Sequence, residues 1–263
     1  MFREQNLLNI AHERIAENQH SAVSHWFGGA TGRALLEQEK CAIASRLRDR
    51  FGYHLLQIGT LADADLLSDS RILHRFVVRL HPDGLQPGYP WLRAAATCLP
   101  LESDSVDVVV LPHVLEFEPR AAQALREAAR VLVPEGLLIV CGFNPRSLVG
   151  LWRLAGQYSG KAPWNGRFLA QSRLRDWLEL VGLEVTSTDA LFFRPPVSTA
   201  SGLQRLMPLE RIGHSLWRPL CGAFVVSARK RVTRATVLRP RFRVQRKLGG
   251  VSLVSPPARV WRG

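Results

Sequence analysis

The chain has 263 residues, 46% of them hydrophobic, and a formal net charge of +13. That length holds one large domain, or one domain with additions. No apolar run approaches the ~20 residues that span a bilayer, and the charged opening MFREQNLLNIAHERIAENQH lacks the apolar centre of a secretion signal. The four cysteines, Cys41, Cys98, Cys141 and Cys221, form no CxxC pair. Their spacing argues against zinc and disulfide frameworks and for a reducing, cytoplasmic setting. All 22 Asp and Glu precede Arg211, whereas 13 Lys and Arg lie from Arg211 onward. Residues 1–210 therefore balance, and the chain is expected to divide into a domain over residues 1–232 and a basic, flexible tail over 233–263.

Gly28 and Gly29 open a turn, and apolar residues then recur at helical spacing through Leu35, Leu36, Cys41, Ile43 and Leu47. Thr31 is placed to cap this helix and Gly52 to end it. YHLLQIG (53–59) reads as a strand and TLADADLLSDS (60–70) as a short helix. RFVVRL (75–80) is a second strand and WLRAAAT (91–97) a short third. VDVVVL (106–111) is a fourth, and its β-branched run suits a parallel strand buried on both faces. A helix over 119–136 begins at Pro119 and ends at the Pro134–Gly136 turn, before a fifth strand, GLLIVCGF (136–143). SRLRDWLELVG (172–182) is an amphipathic helix with Leu174, Trp177, Leu178 and Val181 on one face. LEVTSTDALFF (183–193) and GAFVVSARKRV (222–232) close the chain as strands. Between them one helix is expected, with Leu203, Leu206, Met207 and Leu209 in the core. The alternation predicts an α/β fold: a doubly wound, mostly parallel sheet with helices on both faces. Ligands of such sheets bind at the carboxyl ends of the strands.

Residues 99–145, LPLESDSVDVVVLPHVLEFEPRAAQALREAARVLVPEGLLIVCGFNP, resemble the second half of a class I S-adenosylmethionine-dependent methyltransferase of the branch called type 11. The matching pieces are Leu99-Pro100, Asp104, Asp107, HVLEF (113–117) and VLVPEGLLIV (131–140). The resemblance extends over residues 20–230. It implies a seven-stranded, Rossmann-like methyltransferase sheet with N-terminal helices, and S-adenosylmethionine as cofactor. It further implies cofactor contacts at Gln57, Gly59 and Thr60 after the first strand, at Ala95, Ala96 and Thr97 after the third, and at Leu111 and His113 after the fourth. The chain departs from the family in the loop that the family writes D.G.G.G. Here it is QIGTLAD: Gln57 stands for the acid, Gly59 is kept, and Leu61 and Asp63 replace the later glycines. A Leu61 side chain turned inward would fill the pocket; turned outward, it would leave the pocket open. After the second strand the nearest acid, Asp83, comes a few residues late, and Ala95 stands at the adenine position.

Three functional readings stand. One is a methyltransferase whose acceptor the sequence does not identify. The second is a non-catalytic scaffold, or a nucleic-acid-binding protein using the basic tail, on the same fold. The third is an RNA methyltransferase in which the tail supplies affinity and the body the chemistry. His113 and Glu116 either touch cofactor or substrate, or are a solvated histidine and a carboxylate at a helix start. Residues 147–177, with Trp152, Tyr158, Trp164 and Phe168 among basic residues, are either a lid over the acceptor or a packed connection. Residues 229–263 carry 11 Lys and Arg, nine of them arginine. Guanidinium forks suit phosphate, so the tail is either a tether to nucleic acid or an acidic partner, or a solvated extension. No metal-ligand cluster, paired carboxylates or Ser/His/Asp spacing stands out, and no catalytic residue is assigned. Methyl transfer asks for in-line positioning more than for acid–base groups.

Overall fold

The strands are β1 (His54–Ile58), β2 (His74–Arg79), β3 (Trp91–Arg93), β4 (Val106–Pro112), β5 (Leu132–Phe143), β6 (Leu183–Leu191) and β7 (Ala223–Lys230). They come from a computed structural model that describes residues 17–81, 88–151, 166–195 and 200–231. All seven join one sheet in the order β3-β2-β1-β4-β5-β7-β6. The neighbours from β3 to β5 pair in parallel, and β7 runs antiparallel to both β5 and β6. Among the described residues the longer helices are α1 (residues 17–27), α2 (Ala30–Leu47), α3 (Ala121–Val131), α4 (Gln171–Leu180), α5 (Ala200–Arg205) and α6 (Met207–Leu216).

Strand residues alternate between two apolar layers, as a pleated sheet covered on both faces requires. On one face Leu56, Ile58, Val109 and Leu111 pack with Leu125 of α3 and with Leu174 and Leu178 of α4. On the other, Leu55, Val108 and Val110 meet Val23 and Phe27 of α1 and Leu35, Ile43 and Leu47 of α2. This is the doubly wound, mostly parallel seven-stranded arrangement expected from the sequence.

Several local expectations are corrected. Gly29, not Thr31, is the N-cap of α2, with no side-chain cap bond. Thr31 is buried within the first turn. The helix ends at Leu47, well before Gly52. Gly52 instead faces Asp107: a Cβ there would lie 2.5 Å from the Asp107 carboxyl carbon. Asp107 Oδ2 accepts the backbone N–H groups of Tyr53 and His54 at 2.8 and 2.9 Å, fixing the start of β1 against the start of β4. Residues 60–70 form turns rather than a helix. Leu61, Leu66 and Leu67 are all buried in one cluster, and at that spacing a helix would point them in different directions. The helix expected over 119–136 stops at Val131, and β5 begins at once, so the fifth strand has 12 residues.

The single helix expected in 194–222 is two short ones that meet at Leu206, where Pro208 can start a helix but cannot continue one. Leu203 is in the core, Leu206 and Leu209 are half-buried, and Met207 is 55% exposed. Asp83, the aromatic residues 152, 158 and 164, and the tail beyond Arg231 lie outside the described residues.

Asp107 sits at the amino end of β4, on the far edge of the sheet from the strands' carboxyl ends. Asp107→Ala is expected to cost about 1–2 kcal/mol by loss of two backbone hydrogen bonds. A lowered urea midpoint, with ligand affinity at the opposite edge unchanged, checks this.

Candidate functional site

The carboxyl ends of β2, β3 and β4 enclose a cavity of about 460 Å³, inside the ~300–1,000 Å³ range of small-molecule sites. Leu80 enters from the end of β2. Arg93 and the run Ala94–Cys98 enter from β3, and Glu118 and Arg120 from the segment before α3. Three successive alanines keep the floor low. The loop is held from α3: Arg120 donates to the Thr97 hydroxyl at 3.3 Å, and Gln123 Nε2 donates to the Thr97 carbonyl at 3.2 Å.

α1 forms the roof with Glu17 and His20. Glu17 accepts from Arg93 at 2.6 Å, which pins the roof to β3. His20 is buried, and burial, aided by His81, pushes its pKa down to about 3. It therefore stays neutral at ordinary pH. Its Nε2 has no hydrogen-bond partner among the described residues and can serve a ligand in the cavity.

The loop after β1 lies under the same helix. Gln57 is fully buried, and its Nε2 donates to the Gly59 carbonyl at 2.8 Å. An Asp in its place would set a carboxylate against that carbonyl. Gly59 has φ +83, and a Cβ there would lie 3.0 Å from Val114 Cγ2, so the backbone itself requires the glycine. Thr60 Oγ1 is 3.2 Å from His81 Nε2. Ser24 of α1 accepts the Ala62 N–H at 2.8 Å. Leu61 turns away from the cavity and packs in the layer formed with α1 and α2.

A second polar group sits behind the end of β4. His113, with φ +52, is completely buried. Its Nε2 is 2.6 Å from Glu39 of α2, and its Nδ1 is 3.3 Å from Glu116. Phe27 and Phe143 pack tilted against the ring. Burial alone would lower the His113 pKa, but Glu39 and then Glu116 outweigh it and hold the imidazole up at about 10. Glu116 Oε1 also accepts the Phe143 N–H.

The expected site residues therefore separate. Ala95, Ala96 and Thr97 line the cavity together. Gln57, Gly59 and Thr60 are buried beneath α1, and none of them lines it. Leu111 is in the sheet core and His113 faces α2. His113 is thus not the solvated histidine of one sequence reading. Glu17, His20, Arg93, Arg120 and Glu39 were missed. Only Glu39 carried a sequence signal: an acid in the apolar stripe Leu35, Leu36, Glu39, Ile43.

Residues 71–140, from just before β2 to within β5, match the family described as Methyltransferase domain. Over that segment the chain is similar to methyltransferase domains. Uncharacterized protein YafS of Escherichia coli (strain K12) is 35% identical over 135 residues, which are 51% of this chain and 54% of that protein. The ubiquinone/menaquinone biosynthesis C-methyltransferase UbiE of Campylobacter jejuni is 36% identical over 64 residues, 24% of this chain and 27% of that protein. The chain thus spans about half the length of the first relative and about a quarter of the second. An S-adenosylmethionine-dependent methyltransferase from Thermotoga maritima has the same fold, with TM-score 0.58 over 84% of this chain and 100% of the other at 19% identity.

Two of the three buried histidines among the described residues, His20 and His113, shape stability against pH. His113 has a folded pKa raised from 6.5 to about 10. Its contribution is fully present below 6.5 and is lost as pH rises through 10. His20 has a folded pKa lowered from 6.5 to about 3. Its contribution is present above 6.5 and is lost as pH falls toward 3. Together they place maximum stability near pH 6.5. Urea midpoints measured from pH 4 to 10.5 check this. His113→Gln is expected to flatten the alkaline arm and to cost about 3–5 kcal/mol near neutrality, because two buried carboxylates lose their counter-charge.

Proposed function

We propose that the chain binds S-adenosylmethionine with its adenosine end in the cavity at the carboxyl ends of β2 to β4, and transfers the methyl group to an acceptor. The observation that carries this reading is the coincidence of cavity and family: Leu80, Arg93–Cys98, Glu118 and Arg120 all fall within the matched segment. The donor set suits an adenosine. Ala94, Ala95 and Ala96 leave room for a flat ring, and Leu80 supplies an apolar wall. The neutral His20 Nε2 and the Glu118 carboxylate supply hydrogen-bonding atoms at the rim. When bound, the cofactor supplies a sulfonium-activated methyl for attack by a lone pair or carbanion of the acceptor. The chain's part is to bind, to orient and to exclude water. With Leu61 seated in the apolar layer, the loop after β1 leaves the cavity clear.

Calorimetric titration of the whole chain with S-adenosylhomocysteine tests this. Micromolar, one-to-one binding is expected, with about 2.7 kcal/mol of stabilisation at a hundredfold excess over Kd. Ala95→Phe, which fills the floor, is expected to abolish the binding while leaving the urea midpoint close to wild type. Absence of heat and of thermal shift at millimolar ligand would overturn the proposal and favour a scaffold on this fold.

A further inference from the structure

A larger groove of about 1130 Å³ lies between α2 and the pair α5–α6. It shares no lining residue with the β2–β4 cavity. Ala34, Leu203, Met207 and Pro208 give it an apolar interior. Its inner polar groups satisfy one another. Gln38 Nε2 donates to Glu210 at 2.8 Å, and Gln38 Oε1 accepts the Phe192 N–H at 2.9 Å. Arg194 pairs with the same Glu210 at 2.9 Å. The charges inside the groove therefore cancel.

Two guanidiniums are left over. Arg33 and Arg211 both line the groove, and neither has an ion pair or a side-chain hydrogen bond among the described residues. An apolar surface rimmed by uncompensated positive charge fits a ligand with both features. A purely apolar ligand would leave the guanidiniums unused, and a small anion would leave the apolar walls wet.

We propose that this groove is a second ligand site for a single-chain amphiphile, an extended hydrocarbon ending in an anionic group such as a carboxylate. The chain lies along Ala34, Leu203, Met207 and Pro208, and the anion meets Arg33 and Arg211.

Calorimetric titration of the full chain with decanoate, below its micelle concentration, tests the site. Acetate and decanol serve as the head-only and chain-only probes. Decanoate is expected to bind one-to-one, at least tenfold more tightly than either. The double variant R33Q/R211Q is expected to weaken decanoate by about tenfold or more, with decanol unaffected. Ala34→Phe, which fills the groove, is expected to remove decanoate binding. Thermal melting and S-adenosylhomocysteine titration of the same variants confirm that the fold and the separate cavity are intact. No decanoate binding at millimolar concentration overturns the proposal. So does equal affinity for decanoate and decanol, or decanoate binding that survives both variants.

Discussion

A protonated imidazole held between two carboxylates, in a space that water does not reach, joins the helix layer to the carboxyl edge of the sheet. His113 follows β4, Glu39 comes from the middle of α2, and Glu116 opens the segment leading to α3. Removing three such groups from water is costly, and a buried ion pair rarely returns more than its desolvation. Its value here is placement. The His113 backbone is held at φ +52, a conformation that needs support from its surroundings. Glu116 reaches onward to the Phe143 N–H at the end of β5. One cluster thus sets the positions of the ends of β4 and β5 relative to α2. Cys141 lies beside it, and burial together with the same two carboxylates keeps its thiol protonated and unreactive.

The loop after β1 follows from the same economy of packing. Its glycine is fixed by backbone geometry and by Val114, one residue past His113. Gln57 satisfies the Gly59 carbonyl that a carboxylate would repel. Leu61 contributes to the layer built by α1 and α2 instead of lying over the strand ends. Of the residues that depart from the family's glycine pattern, Gln57 and Leu61 are therefore accounted for by contacts within the body, and Asp63 is exposed. The charged and polar groups that face the cavity come from α1, from the end of β3 and from the segment before α3.

The sequence made the sheet legible because its signals are local. The β-branched run of β4, the amphipathic spacing of α4 and the left-handed Gly182 after it each report on neighbouring residues. The site was only partly legible because its contacts are distant. Glu17 and Arg93 are separated by 76 residues, and His113 and Glu39 by 74. An acid in the apolar stripe of α2 shows that a partner must exist without showing which residue it is. The expected helix over 60–70 failed for a related reason: its leucines are buried by tertiary packing, not by one helical face. Ala95–Thr97 could be placed because the family motif and the end of a strand coincide there.

The cavity and the groove lie near opposite ends of α1. His20, in its first half, lines the cavity, and Gly28, just past its end, lines the groove. Eight residues separate them, about 12 Å at the helical rise. Both openings belong to the carboxyl edge of the sheet. β6 runs parallel to β5, since each is antiparallel to β7, so the segment after Leu191 that reaches Arg194 leaves from that same edge. Between the two openings stand Phe27, Phe143 and the His113 cluster, which are packed against one another. A ligand at one opening and a ligand at the other would be held by different residues on one rigid frame. α1, whose Glu17 and Ser24 tie it to β3 and to the β1 loop, reaches from one opening to the other.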